Sequence, residues 1–314
     1  METIEGVKIS VIVMTYNQKC TIKQCLESIL KQEVNMNFEI LIGDDASNDG
    51  TTEICEEFAF KHSKVFHVKR MKNVGMIRNY IDLIKKTKGL YIAQCAGDDY
   101  WIDDYKLQKQ YDFLRQNSNY GMVHTDYKIL YRGELGKSTP PIQTQNVFDA
   151  LLTENFINPT TCFFRKKILL EAIKNEVINS KTVMEDYNLV LYTAQKYKIG
   201  YLNDITTVYL KKENSLSNFT NPTEKLNFIN EIIKVQIKFA KSNDKIGLIK
   251  DRIKRHYNHM IYESFLGKAN FNKLTGVSNL IKINSLSFFY IKYYLLHLFP
   301  FKYLKHKLIR EKKN

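Results

Sequence analysis

The stretch FEILIGDDASNDGTTEICEEFAFK, residues 38–61, holds the pattern that decides the fold. Its first part, residues 38–45, is an apolar run that ends in two acids, as a buried strand running into a loop does. The polar residues 47–51 are typical of a turn with a helix cap, and the spacing that follows predicts a helix over 51–61. A strand, an acidic loop and a helix are thus predicted in a row.

Strands and helices alternate in the same way on both sides of this stretch. We predict strands over residues 7–14, 65–70 and 90–95, and helices over 21–32 and 73–89. This alternation is typical of a parallel, doubly wound α/β sheet, in which ligands bind beyond the carboxyl ends of the strands. Three polar groups follow such strand ends: Thr15–Tyr16–Asn17, Asp44–Asp45 and Asp98–Asp99.

The pattern changes after residue 120. The predicted elements are a strand or edge hairpin over 121–131, helices over 161–173 and 184–197, and a last strand over 205–212. From there on the sequence is helical in pattern and rich in lysine. We therefore predict an α/β domain over residues 1–215 and a helical, basic region over 216–314.

Composition and charge narrow the class of protein. The 314 residues are 44% hydrophobic and 25% charged, as in an ordinary soluble protein. The net charge of +14 indicates an anionic partner, for which nucleic acid, an anionic membrane surface and phosphorylated substrates are the candidates. The acidic clusters all precede residue 190, whereas residues 301–314 carry six Lys or Arg against one Glu. The two halves of the chain are therefore expected to do different jobs.

The cysteines and the N-terminal sequence indicate a compartment. Five cysteines without a Cys-x-x-Cys pair predict reduced, mostly buried thiols. Residues 1–17 show neither a basic leader nor a cleavable apolar stretch, so a signal peptide is not expected. Both features predict a cytoplasmic protein.

The acidic pairs have chemical as well as structural interpretations. A helix cap would explain one acid of Asp98–Asp99, but a carboxylate pair suits Mg²⁺ or Mn²⁺, which take oxygen ligands and bind phosphate. Glu185–Asp186 opens a helix, where an acid is favourable in any case. The sequence has no Gly-x-x-x-x-Gly-Lys phosphate loop, no Gly-x-Gly-x-x-Gly turn and no Gly-x-Ser-x-Gly elbow. The acids therefore indicate metal–phosphate chemistry.

Five separated stretches resemble the family 2 glycosyltransferases in their order and spacing. They are ISVIVMTYNQKCTIKQCLESILKQ (9–32), FEILIGDDASNDGT (38–51), NVGMIRN (73–79), GLYIAQCAGDDYW (89–101) and MEDYNLVL (184–191). The resemblance covers residues 7–215. It implies an inverting glycosyltransferase of the hexosyltransferase type with the GT-A fold, a Rossmann-like domain with a mixed, mostly parallel sheet, followed here by a helical C-terminal extension.

The resemblance also implies a nucleotide-sugar donor, most commonly a UDP-sugar, and a site for it. The implied donor-binding residues are Thr15, Tyr16, Asn17, Asp44, Asp45, Arg78 and Asp98. Thr15 and Tyr16 would lie against the base, and Asp45 would accept a hydrogen bond from uracil. Arg78 would lie near the phosphates.

The chemical step is implied by the remaining acids. Asp98 and Asp99 match the motif that binds Mg²⁺ or Mn²⁺ and the ribose, where a divalent ion offsets the charge of the leaving diphosphate. Asp186 matches the general base, and Glu185 is its neighbour. A carboxylate within hydrogen-bond reach is what an acceptor hydroxyl needs to lose its proton.

Two positions depart from the pattern of many relatives. Ala96 stands where another acid precedes the metal motif, and Lys212 stands where a histidine near the diphosphate is expected. Both changes remove metal ligands. Lys212 could instead meet the diphosphate directly as a point charge, which would lower the dependence on metal.

The C-terminal sequence suggests where the protein works. Residues 286–301 are apolar and aromatic but too short for a spanning helix, and the basic flank favours an anionic membrane surface. A helix packed on the catalytic domain is the alternative. We expect a peripheral enzyme at the inner face of the bacterial plasma membrane. It would extend a glycan or lipid-linked oligosaccharide acceptor of a capsule or O-antigen.

Two other classes of function stay open at this point. A non-catalytic nucleotide-sugar binder would explain the loss of an acid at Ala96. A nucleic-acid-binding protein would explain the net charge, but it predicts basic residues interleaved with aromatics on a recognition element. Because the basic excess is C-terminal and the acids converge on the strand ends, no nucleic-acid partner is expected.

Overall fold

The computed structural model describes residues 6–137, 146–212 and 221–265. The chain divides into two compact units, residues 1–213 and 214–314. The centre of the first unit is a sheet in which nine described strands take part. These are β1 Ile9–Thr15, β2 Phe38–Asp44, β3 Val65–Lys69, β4 Tyr91–Ala96, β5 Tyr100–Trp101, β6 Tyr120–Tyr131, β7 Glu134–Lys137, β8 Phe163–Arg165 and β9 Lys198–Leu210.

The sheet is mixed. Its strand order is β3-β2-β1-β4-β8-β6-β9-β5, with β7 paired to β6. The first four strands in this order are parallel, as are β6 and β9, whereas β8 runs antiparallel to both β4 and β6. The short strand β5 pairs antiparallel with β9. The mixed, mostly parallel α/β sheet implied by the resemblance is confirmed, while the wholly parallel sheet suggested by the alternation alone is wrong.

Helices cover the sheet. In the first unit they are α1 Ile22–Leu30, α2 Thr51–Lys61, α3 Met76–Lys86, α4 Lys106–Gln116, α5 Val147–Thr153, α6 Lys166–Lys174 and α7 Glu185–Lys196, with a 3₁₀ turn at Pro159–Thr161. The apolar positions of α1 recur at helical spacing, and Ile22, Cys25, Leu26 and Ile29 are fully buried against the sheet. Burying each such Leu or Ile stabilises the fold by about 1.5–3 kcal/mol.

Some predicted elements differ from the structure. The helix predicted over 161–173 divides into β8 and α6, and the strand predicted over 205–212 begins at Lys198 and ends at Leu210. β5 and α5 have no predicted counterpart. Strands of two or three residues, such as β5 and β8, are too short to show a period of two. The range 121–131, predicted as a strand or edge hairpin, is the single strand β6, which forms a hairpin with β7 beyond that range.

The described part of the second unit is helical, as predicted. It consists of α8 Pro222–Ser242 and α9 Ile246–Phe265. Asn221 caps α8 by accepting a hydrogen bond from the Thr223 N–H at 2.8 Å. Among residues 6–137, 146–212 and 221–265, no helix has both the length and the apolar character that crossing a membrane requires. The aromatic stretch 286–301 lies outside the described residues.

Candidate active site

The loops that follow β1 and β2 meet at one edge of the sheet. Thr15, the last residue of β1, pairs in parallel register with Asp44, the last residue of β2. The Asp45 N–H then donates to the Thr15 carbonyl at 3.0 Å. Asn17 extends this junction, because its N–H donates to Ser47 Oγ at 2.9 Å and its side chain accepts the Asn48 N–H at 3.0 Å.

Asp44 is fully buried beneath this junction. Its carboxylate accepts the N–H and hydroxyl of Ser47 on Oδ1 and the hydroxyl of Thr52 on Oδ2. Burial alone would raise the pKa of Asp44, but the His67 ring 3.7 Å away and the hydrogen bonds from Ser47 and Thr52 lower it to about 2. The predicted donor contact through Asp44 has no exposed oxygen to use, so this residue shapes the loop instead.

Asp45 holds the next loop along the edge. Its two carboxylate oxygens accept the N–H groups of Val74 at 2.8 Å and Gly75 at 2.9 Å. Gly75 directly precedes α3, so Asp45 fixes where that helix begins. Arg78 lies in the first turn of α3 and is exposed, and the Tyr16 ring is 48% exposed. Tyr16, Asn17 and Arg78 are therefore exposed predicted donor residues at this edge.

The Asp98–Asp99 loop packs on the end of β1 through Gly97. A Cβ on Gly97 would lie 2.5 Å from Gln18 Oε1 and 2.9 Å from the Thr15 side chain. Such distances are impossible for a real side chain, so glycine is required for the loop to approach β1 this closely. The predicted donor and metal residues Thr15, Asp98 and Asp99 thus belong to one site.

The end of β9 closes the other side of this loop. The Leu210 N–H donates to Asp99 Oδ1 at 2.9 Å, and Lys212 Nζ lies 2.9 Å from Asp98 Oδ2. Asp99 is 2% exposed, whereas the Asp98 side chain is 23% exposed. Burial and the charge of Asp98 raise the pKa of Asp99 well above its usual range, against the opposing effects of Leu210 and Lys212.

This carboxylate pair could supply some, but not all, of the ligands that a divalent cation needs. Asp98 and Asp99 supply the hard oxygen ligands that Mg²⁺ and Mn²⁺ prefer. Within the described part of the chain, no three or more His, Cys, Asp or Glu side chains are grouped so that they could hold a metal. Phosphate oxygens and water would have to provide the remaining ligands, as is common for Mg²⁺.

The third acidic pair, Glu185–Asp186, opens α7. Met184 adopts a left-handed conformation (φ 59°) just before it. Glu185 is 8% exposed, and burial together with the charge of Asp186 raises the pKa of Glu185 to about 7. Asp186 is partly exposed but closely surrounded by other atoms. This burial raises the pKa of Asp186, while hydrogen bonds from the Tyr187 N–H and from its own N–H oppose the rise. A carboxylate with a raised pKa is a better proton acceptor near neutral pH.

A buried tyrosine ties α3 to the central sheet. The Tyr80 hydroxyl of α3 donates to Gln94 Oε1 of β4 at 2.6 Å. Burial, and after it the charge of Glu185, raises the pKa of Tyr80 well above its usual range. β4 in turn leads into the Asp98–Asp99 loop.

Sequence reasoning missed several supports of the site. Gly97 stands directly before the two acids, and this position is a signal that could have revealed its packing role. The buried Lys106 lies 4.6 Å from the Trp101 ring centroid and donates to Gln110 Oε1 at 2.6 Å. Burial lowers the pKa of Lys106 to about 8. The backbone contact of Leu210 has no sequence signal, because any residue carries the same N–H.

The mixed sheet, with aspartates at the strand ends and an acidic pair at the start of α7, matches the GT-A fold of solved glycosyltransferase structures. Residues 10–173 match the family model of glycosyl transferase family 2. The chain belongs to this family.

Relatives with similar sequences match about half of this chain. Protein Rv1520 of Mycobacterium tuberculosis (strain H37Rv) is 31% identical over 173 residues, which are 54% of this chain and 50% of that protein. The dTDP-rhamnosyl transferase RfbG of Shigella flexneri is 29% identical over 177 residues, or 55% of this chain and 60% of RfbG. The matched region thus spans about half the length of these curated relatives.

Solved structures share the fold. TarS 1–349 of S. aureus, in complex with UDP-GlcNAc, matches with a TM-score of 0.64 at 19% identity, over 88% of this chain and 81% of that one. The mannosyltransferase PcManGT from Pyrobaculum calidifontis, in complex with GDP-Man and Mn²⁺, matches with a TM-score of 0.55 at 16% identity, over 74% and 64%. At these identities the likeness concerns the fold alone.

Proposed function

We propose that this protein transfers a sugar from a nucleotide-sugar donor to a hydroxyl group of a glycan acceptor. The observation that carries the proposal is the junction of three loops at one sheet edge. There Gly97 brings Asp98–Asp99 against Thr15, and Asp45 fixes the start of α3 next to Arg78. Family membership supports it, as do the nucleotide sugars bound to TarS and PcManGT.

For the donor we propose a UDP-sugar. Tyr16 and Thr15 are proposed to contact the base, Arg78 the phosphates and Asp98 the ribose. Asp45 is proposed to accept the uracil N–H, which requires it to share oxygens that now bind the loop before α3. Asn17 supports the same surface through Ser47 and Asn48.

For the cofactor we propose Mg²⁺ or Mn²⁺ held by Asp98 and Asp99. When bound, such an ion offsets the negative charge that develops on the leaving diphosphate. Asp99, buried and fixed by Leu210, would keep its second oxygen directed at the site, while the more exposed Asp98 would reach outward.

For the proton transfer we propose Asp186 as general base, with inversion at the sugar carbon. Asp186 would take the proton of the acceptor hydroxyl as that oxygen attacks the sugar from the side opposite the diphosphate. Its raised pKa suits this role. Glu185 is more deeply buried, and the charge of Asp186 adds to the burial that raises the pKa of Glu185.

For acceptor and location we propose a surface polysaccharide or its lipid-linked precursor, built at the inner face of the plasma membrane. The support is similarity to RfbG and to the poly(ribitol-phosphate) beta-glucosyltransferase of Bacillus spizizenii, which is 34% identical over 116 residues. The apolar and basic C-terminal sequence adds to it.

The test is a donor screen with the full chain, followed by one substitution. UDP-, GDP- and dTDP-sugars are incubated with the protein, and release of the nucleoside diphosphate is measured. Asp186→Asn should lower turnover by about 10²–10⁴-fold, as loss of a general base does, while donor affinity is kept. The matched control is Asp251→Asn, an exposed aspartate of α9, which should leave turnover unchanged.

Two results would count against this proposal. Normal turnover in Asp186→Asn would move the base to Glu185. Binding of a nucleotide sugar without turnover, for all donors and in the presence of glycan acceptors, would favour a non-catalytic nucleotide-sugar binder.

A further inference from the structure

Lys212 forms an ion pair with one carboxylate of the Asp98–Asp99 pair. Its ammonium lies 2.9 Å from Asp98 Oδ2, while the Lys212 side chain is 44% exposed. Asp99 beside Asp98 is buried, and its Oδ1 accepts the Leu210 N–H instead. One aspartate of the pair is thus paired with a cation that belongs to the protein itself.

The end of β9 positions this cation. β5 pairs with β9 through Trp101 and Thr207, and the Leu210 N–H binds Asp99. These contacts tie the Asp98–Asp99 loop to β9 immediately before Lys212, so the lysine starts from a fixed point. Only its flexible side chain has to move for the ammonium to leave Asp98.

A divalent cation and this ammonium cannot both occupy the same side of Asp98. Mg²⁺ binds a carboxylate oxygen at about 2.0–2.1 Å, so a metal on the oxygen that contacts Lys212 would lie at most about 5 Å from Nζ. A metal on the other oxygen would still lie within the screening length of about 8 Å at physiological salt. Both cases place two positive charges in strong repulsion.

We propose that Lys212 is a tethered competitor of the divalent metal for Asp98, and that its ammonium binds the donor diphosphate when it leaves the carboxylate. This inference rests on the proposed function, because it uses the same metal and donor site. It makes the diphosphate site partly independent of metal. It also predicts that removing the lysine charge tightens metal binding, whereas removing an ordinary supporting residue would loosen it.

The experiment compares the full chain with Lys212→Gln and with the control Lys211→Gln. The Lys211 ammonium lies 5.5 Å from the Tyr131 ring centroid, so the control removes a neighbouring charge that has another partner. Mn²⁺ binding without nucleotide is measured by calorimetry. Lys212→Gln should bind Mn²⁺ roughly three- to tenfold more tightly, of the order expected for loss of an exposed ion pair plus charge repulsion. Lys211→Gln should match the wild type.

A second titration uses UDP in the presence of EDTA. Lys212→Gln should bind UDP about threefold or more weakly than wild type, because the tethered ammonium is missing. Equal Mn²⁺ affinity in wild type and Lys212→Gln, or no Mn²⁺ binding by either, overturns the competition. Thermal unfolding of each variant checks that the fold is intact. Failure of the proposed function would appear separately, as absence of sugar transfer from any donor, since the Mn²⁺ titration needs no donor.

Discussion

Glu185, at the first position of α7, is a buried carboxylate whose titration should be visible in stability. Its pKa is raised from 4.5 to about 7 because burial and the charge of Asp186 disfavour the ionised form. The folded state therefore binds this proton more tightly than the unfolded state does. The resulting stabilisation is complete below about pH 4.5 and is lost as the pH rises to about 7.

We predict that Glu185→Gln removes this pH dependence. Between pH 5 and pH 8 the free energy of unfolding of the wild type should fall relative to that of the variant, by up to about 3 kcal/mol. Urea unfolding at both pH values measures the difference. Glu171→Gln, at a more exposed glutamate of α6, is the matched control and should follow the wild type. Parallel pH curves for wild type and Glu185→Gln would show that Glu185 titrates as it does in the unfolded chain.

For the aspartates at the strand ends, the sequence predicts where each pair lies in the fold. It does not predict which acid of a pair is buried. The strand-end position of Asp44–Asp45 and Asp98–Asp99 follows from the apolar runs before them. Which acid of a pair points inward depends on side-chain contacts, such as those of Asp44 with Thr52 and His67. Those partners are eight and 23 residues further along the chain, and no local pattern announces them.

At the scale of elements, the loop before α3 is held by the side chain of Asp45, the residue that directly follows β2. The Asp45 carboxylate accepts two backbone N–H groups, from Val74 and Gly75. In Asp45→Asn one oxygen can still accept one N–H, but the amide NH₂ meets the other donor. Val74 is only partly buried and the Gly75 N–H also donates to Asn73 Oδ1 at 3.0 Å, so the lost hydrogen bond costs about 0.5–1.5 kcal/mol.

We predict that Asp45→Asn loosens this loop without unfolding the sheet. Amide hydrogen exchange at Val74 and Gly75 should become about tenfold faster, because the lost contact lowers the local opening free energy. UDP affinity should fall with it, since Arg78 follows in the first turn of α3. The control is Asp49→Asn, whose side chain binds Thr51 and Lys19 and should leave amides 74 and 75 unchanged. Unchanged exchange at both amides in Asp45→Asn would remove this role from Asp45.

The predicted bounds agree with the structure for strands that are buried on both faces and for helices that have one apolar face. β2 is buried throughout, and its bounds Phe38–Asp44 differ from the prediction by one residue. β8 fails because its three residues are followed directly by α6, so strand and helix appear as one apolar segment. The first half of β9 fails for another reason, since its residues are partly exposed and carry no regular alternation.

At the scale of the whole molecule, charge is distributed unevenly along the chain. The net charge is +14, yet the acids of the candidate site all lie in the first unit, before residue 190. Residues 301–314 hold six Lys or Arg against one Glu and follow an apolar, aromatic run. Both segments lie outside the described residues, so their proposed role rests on sequence and charge.

We predict that the full chain sediments with vesicles of phosphatidylglycerol and phosphatidylcholine at low salt and is released at high salt. Each Lys or Arg near an anionic surface contributes roughly 1 kcal/mol, and screening by salt removes that contribution. A chain truncated after residue 284 should stay in the supernatant. The matched control replaces the six Lys and Arg of residues 301–314 by Gln, which keeps the aromatic run and tests charge alone. Vesicles of phosphatidylcholine only should bind none of the three proteins strongly. If the full chain stays in the supernatant with anionic vesicles at low salt, the C-terminal sequence is a packing element and the acceptor is a soluble glycan.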